Sequence, residues 1–200
     1  SSEGYTEHPN DIRLLRGVNV APGAIRWEEI TRWPQDEYDG LRSYHLNVGD
    51  IVVGMDRTLV AGGVRAAMIQ SADVPSLLLQ RVARLRPTDR VYAEYLHLLL
   101  HSRSFADYLS PLFTGISVPH LSPKQLHSFV VALPSTEDQL VIIESVRERT
   151  SQLEDAISTA QSEIALIREY RQRLIADVVT GKLDVRGIEF EREARPVRKK

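Results

Sequence analysis

Beyond Pro134 the apolar residues of this chain fall into one seam. Ile143, Val146, Leu153, Ile157, Ala160, Ile164, Ile167, Leu174 and Val178 follow alternating steps of three and four, interrupted only at Thr150 and Arg171. That period returns one stripe of side chains to the same side of an α-helix and suits a helix wound against another helix. A strand, whose side chains alternate every two residues, cannot present it on one face. The start is signalled by Ser135 and Thr136, with Glu137 and Asp138 in the first turn and capping-box spacing from Thr136 to Gln139. Gly181 suits the left-handed position that follows a last turn. The pattern predicts one uncut helix within residues 135–181, roughly 44 residues and ~66 Å long at 1.5 Å per residue.

A small domain cannot cover such a stripe along its whole length. The seam therefore predicts a packing helix from a second copy, from another half of the same subunit or from a partner, and self-association of the isolated chain. A coiled-coil adaptor that binds only protein would carry the same pattern.

Before Pro134 the texture changes to short runs rich in Val, Ile and Leu, separated by Gly, Pro, Asn and Asp. The runs Ile12 to Val20, Ile51 to Val53, Val64 to Ile69, Leu77 to Leu85 and Phe129 to Leu133 read as strands, with Gly62-Gly63 as a hairpin turn. Tyr92 to Ser102 and Ser104 to Leu112 read as helices, the first with Tyr92, Leu96, Leu99 and Leu100 at helical spacing. The expected fold class is α+β: a globular domain over 1–134 with mixed β-sheet and short helices, then one long coiled-coil-forming helix over 135–181. The tail, 182–200, mixes Arg and Lys with Glu and is expected to be disordered.

With 42% hydrophobic residues the first segment can build a core. No apolar run is long enough to cross a bilayer, and the first residues do not resemble a signal peptide, so the expected location is the cytoplasm. The absence of cysteine excludes disulfides, thiolate metal sites and cysteine nucleophiles. The net charge of −2 is not the footprint of a nucleic-acid binder. Charge is uneven, however: residues 57–124 hold eight Arg/Lys against four Asp/Glu, and residues 1–39 hold four against eight.

Catalytic signatures are missing. There is no glycine-rich phosphate loop, no Asp/Asn-Pro-Pro-aromatic tetrapeptide to hold a flipped base, and no acid two residues before Lys124 or Lys182 as a metal-dependent nuclease would need. His97 and His101 have metal-ligand spacing, but on a Leu-rich helix they read as packed or surface residues, and no metal site is assigned. A non-catalytic chain with no cofactor of its own is expected. The segment Thr114 to Lys124 stands out, because Thr114, Gly115, Ser117, His120 and Lys124 offer hydroxyls, an imidazole, an ammonium and a close backbone approach between a helix and a predicted strand. Those groups suit phosphates and base edges, and an ordinary polar turn would also contain them.

Three runs carry a resemblance. Leu133-Pro134-Ser135-Thr136-Glu137-Asp138-Gln139, then Ile164 to Ile175, then Val179 to Arg186 resemble in order and spacing the C-terminal conserved region of type I restriction-modification specificity subunits. Upstream, Leu15 to Val20, Gly49 to Val53, the helix around Tyr95-Leu96, and Thr114-Gly115 through Leu121 are similar to the corresponding parts of their target-recognition domains. The resemblance covers roughly residues 12 to 186. It departs from the family in lacking the second Pro of the usual Pro-Pro-Leu start, and in beginning some tens of residues late, which makes a C-terminal fragment or a truncated gene the expectation.

The resemblance implies a DNA-reading subunit that recognises one half of a bipartite site in double-stranded DNA. Methyltransferase subunits would clasp it, an endonuclease subunit would join them, and S-adenosylmethionine, Mg²⁺ and ATP would be held by those partners. The long helix would set the spacing between half-sites. With the basic middle segment, it places the expected reading surface on Arg57, Arg65 and the Thr114 to Lys124 loop.

Overall fold

A computed structural model describes residues 4–113 and 119–184. The chain divides into two compact units, Ser1–Val146 and Arg147–Lys200. Among the described residues the strands of the first unit form two three-stranded sheets and two hairpins. In one sheet β1 (Ile12–Leu15) lies between β4 (Arg32–Trp33), antiparallel, and β9 (Ser76–Leu78), parallel. In the other β5 (Ile51–Gly54) lies between β8 (Ala66–Met68) and β10 (Val82–Leu85), both antiparallel. The hairpins pair β2 (Val20–Ala21) with β3 (Ala24–Ile25) and β6 (Leu59–Val60) with β7 (Gly63–Val64).

β5 is an uninterrupted apolar run because both of its faces are covered. Ile51 and Val53 point into a cluster with Leu100, Phe105, Leu109 and Leu121, whereas Val52 points into another with Leu15, Val20, Leu46, Ala67, Ile69 and Val82. The first cluster is closed by two helices, α1 (Ala93–His101) and α2 (Arg103–Leu112), with the Ser102 hydroxyl accepting from the Phe105 N–H to cap α2.

Several predicted elements differ from those observed. Ile12 to Val20 is not one strand: it breaks at a 3₁₀ turn, Gly17–Asn19, where the buried Asn19 amide donates to the carbonyls of Arg26 and Glu29 and its oxygen accepts from the Arg16 N–H. Leu77 to Leu85 is two strands in different sheets, parted by a turn in which Arg81 has φ 66°. Val64 to Ile69 likewise breaks at Arg65, and the hairpin turn is Ala61-Gly62, with Gly63 already in β7. Phe129 to Leu133 forms no strand. Its apolar start is explained by Phe129 packing on the rings of Phe105 and Tyr108, with centroids 4.7 and 5.1 Å away.

The long helix α4 runs Thr136–Val179, within the predicted bounds, and Gly181 has φ 73°. Its cap is Ser135 and not Thr136: the Ser135 Oγ accepts from the Asp138 N–H at 3.1 Å and donates to the Asp138 carboxylate at 2.8 Å. Gln139 is released from capping and is fully buried. Its Nε2 donates to the carbonyls of Arg90 and Pro134, and its Oε1 accepts from the Tyr92 N–H, all at 3.0 Å. The first turns of the helix are thereby fastened to the segment that leads into α1.

In the second unit the described residues continue α4. Leu153, Ile157, Ala160, Ile164, Ile167 and Leu174 are exposed, with Leu153 at 63% and Ile167 at 66%. Ile143 is buried and Val146 half-buried, both within the first unit. Among the described residues no helix is long and apolar enough to cross a membrane. The predicted tail lies outside the described residues from Val185 onward.

Candidate functional site

The chain re-enters the described structure at Pro119, and three residues there are clamped to the end of β5. Arg57 N–H donates to the Pro119 carbonyl at 2.8 Å and Leu121 N–H to the Met55 carbonyl at 2.7 Å. Asp56 and His120 are thus directly opposite each other in an antiparallel bridge. They occupy the pair whose own backbone groups do not bond across, the one that brings side chains closest. Leu121, fully buried beside Phe105 and Leu109, anchors this clamp to the core. The sequence therefore alternates locally, with Leu121 inward and His120 outward.

The clamp places charges on the surface. Asp56 Oδ1 accepts from His120 Nδ1 at 2.7 Å and Oδ2 accepts from the Arg81 guanidinium at 2.8 Å. These two donors, His120 first, hold the Asp56 carboxyl below its ordinary value. His120 is half exposed and the Arg81 side chain 67% exposed. Arg57 is exposed and sits at φ 47°. The described non-glycine residues with positive φ are Arg57 and Arg81, and both flank this carboxylate. Such a backbone costs roughly 1–3 kcal/mol per residue and persists where the surroundings impose it, often at working sites. Lys124 lies exposed in the first turn of α3 (Pro123–His127), which Ser122 and Gln125 cap reciprocally.

The predicted reading residues fare unequally. Arg57, His120 and Lys124 are exposed or half-exposed, and the clamp joins the first two. Thr114, Gly115 and Ser117 lie outside the described residues. Arg65 is engaged by the fold: its Nε donates to the Val20 carbonyl at 2.9 Å, one terminal nitrogen to the Asp56 carbonyl at 2.7 Å and the other to the Gly17 carbonyl. Burial lowers its pKa, the Coulombic pull of Asp56 opposing. Arg65 is a staple that holds the Asp56-Arg57 corner against the Gly17–Val20 turn. Sequence reasoning missed Asp56 and Arg81. Both look like ordinary surface charges in one dimension, and they meet across 25 residues beside the two left-handed positions, Arg57 and Arg81.

The His97 and His101 rings lie on α1 with centroids 4.5 Å apart and planes tilted by 57°, and His101 Nε2 lies 3.0 Å from the Ala66 carbonyl. Burial, and secondarily His101, pushes the His97 pKa down to about 4. Among the described residues no three His, Asp or Glu side chains converge as a metal site would require.

No family model matches the chain. Curated relatives do. It is 27% identical over 90% of its length to the type I restriction enzyme MjaVIII specificity subunit of Methanocaldococcus jannaschii. It is 31% identical over 84% to the EcoAI specificity subunit and 27% identical over 94% to the EcoBI specificity subunit, both from Escherichia coli. Over most of its length the chain is similar to type I restriction enzyme specificity subunits. It spans 42%, 28% and 37% of those three relatives' lengths. Solved structures share its fold: one from a study of complex assembly and conformational transition of the type I restriction-modification system superposes with a TM-score of 0.58 at 19% identity, over 88% of this chain and 40% of that one. The HsdS subunit of Thermoanaerobacter tengcongensis gives 0.53 at 15% identity, over 78% and 40%. On this fold, an α+β unit followed by a long helix, the cationic corner sits at the end of β5.

Proposed function

We propose that this chain reads one half of a bipartite target in double-stranded DNA as part of the specificity subunit of a type I restriction-modification system, and performs no chemistry itself. The observation that carries this reading is the corner where Arg57, Arg81 and His120 gather at the edge of an otherwise acidic domain, with Lys124 at the head of the next helix. Arginine and lysine are the groups that bind phosphates, and a half-exposed imidazole can reach a base edge. The Thr114 to Lys124 loop, entering this corner at Pro119, supplies the remaining contacts, including those of Thr114, Gly115 and Ser117. Arg65 serves the surface indirectly by holding its corner. The domain over 1–134 carries recognition and the helix over 135–181 carries assembly.

The seam from Leu153 to Val178 pairs with the helix of a second recognition half or of another copy. Methyltransferase subunits, holding S-adenosylmethionine, and an endonuclease subunit, using Mg²⁺ and ATP, assemble around it. The test is selection of bound sequences from randomised duplexes by the complex with its methyltransferase subunits. Enrichment of one split motif, with affinity falling steeply as salt rises, is the expected result. Binding without sequence preference, or none at low salt, overturns the reading, as does methyl transfer by the chain alone.

A further inference from the structure

The corner holds more than a collection of charges, because one carboxylate organises two potential readers. Asp56 is opposite His120 in a backbone bridge closed by bonds on both sides, so the separation of the two side chains is set by the sheet and not by their own rotamers. Its Oδ1 can only accept, so the imidazole Nδ1, 2.7 Å away, must carry the proton. The other ring nitrogen, Nε2, has no hydrogen-bond partner among the described residues. Asp56 Oδ2 is paired with the permanently charged Arg81, so the carboxylate meets His120 as a hydrogen-bond acceptor already neutralised from its other side.

We propose that Asp56 is a specificity-determining positioning residue, which locks His120 in the Nδ1–H tautomer so that Nε2 faces the DNA as an acceptor for the exocyclic amino group of adenine or cytosine. This rests on the DNA-reading assignment above. A neutral imidazole offers one donor and one acceptor, and which is outward decides which base edge it matches. In the major groove adenine N6 and cytosine N4 are donors, whereas guanine O6 and N7 and thymine O4 are acceptors. With Nδ1–H committed to Asp56, the outward nitrogen discriminates against guanine and thymine. Without Asp56 the ring is free to exchange tautomers and loses that discrimination, although the imidazole itself is still present. Arg81, anchored by the same carboxylate, keeps its remaining N–H groups for the adjacent phosphate.

Two measurements on the full chain test this separately. Long-range ¹H–¹⁵N spectra at alkaline pH report the tautomer of each histidine, with His120 assigned through His120→Ala. The expected result is Nδ1–H for His120 in the wild type and a mixture in Asp56→Asn. A wild-type Nε2–H ring overturns the proposal whatever happens with DNA. In the randomised-duplex selection, Asp56→Asn and His120→Ala should each lower the preference for adenine or cytosine at one position about tenfold, within the range for one lost base contact, and the double variant should lose no more. Unchanged preference in Asp56→Asn, with the melting transition intact, overturns the proposal and leaves the DNA-reading assignment standing. Failure of the wild-type complex to select any motif removes that assignment and this proposal with it.

Discussion

Replacing Gln139 should unfasten the long helix from the domain. The side chain is fully buried and makes three hydrogen bonds, to Tyr92 N–H, the Arg90 carbonyl and the Pro134 carbonyl, each at 3.0 Å. Each such bond contributes about 0.5–1.5 kcal/mol net, and a partner left dry costs about 1–3 kcal/mol. Arg90 and Tyr92 lie near the surface, where water can replace part of what is lost. Gln139→Ala should therefore cost about 2–3 kcal/mol, near the lower end of the simple sum. Gln139→Glu preserves shape but turns an acceptor toward the two carbonyls that the amide served, and should cost at least as much. Both tryptophans, Trp27 and Trp33, lie in the first unit, so denaturant unfolding followed by their fluorescence isolates it from the rest of the helix. A loss below about 1 kcal/mol for both variants would refute the assignment of Gln139 as the fastener.

Other perturbations have equally definite outcomes. Leu121→Ala, which removes a fully buried side chain from the Phe105 cluster, should cost about 2–5 kcal/mol in the same unfolding experiment and release the Pro119–Leu121 clamp. His97, lowered to about 4 in the folded chain against an ordinary 6.5, is protonated first in the unfolded chain. Its contribution to stability is complete above pH 6.5 and is lost as pH falls toward 4, and His97→Gln should flatten that part of the stability profile relative to the wild type. Ile157→Asp with Ile164→Asp should abolish self-association in sedimentation while leaving tryptophan fluorescence unchanged; a wild type already monomeric at tens of micromolar would reserve the seam for another subunit. Lys124→Ala should weaken binding to all duplexes alike and lower the salt slope by about one.

The legible parts of this protein were those in which a local pattern has only one physical solution. A period of 3.5 over five repeats is met by a helix and by no strand, and α4 ends within two residues of its expected limits. The four-residue run of β5 was legible for a related reason, since continuous apolarity demands cover on both faces. Strand limits elsewhere were not. Whether Leu77 to Leu85 is one strand or two depends on Arg81 adopting a left-handed turn, and its partner Asp56 is 25 residues away.

The candidate site divides in the same way. Residue types alone selected His120, Arg57 and Lys124, because imidazole, guanidinium and ammonium are the groups that nucleic acid requires. Only the tertiary structure separated Arg65, whose guanidinium is bound to three carbonyls of the fold, from Arg81, which composition treats identically and which stands in solvent. It also recruited Asp56, an acid that charge counting sets against DNA binding, as the group that holds one guanidinium and one imidazole. The physical reason is range. Helix periodicity is written in bonds between residues three and four apart, whereas the role of a charged side chain is decided by partners brought to it across the sheet.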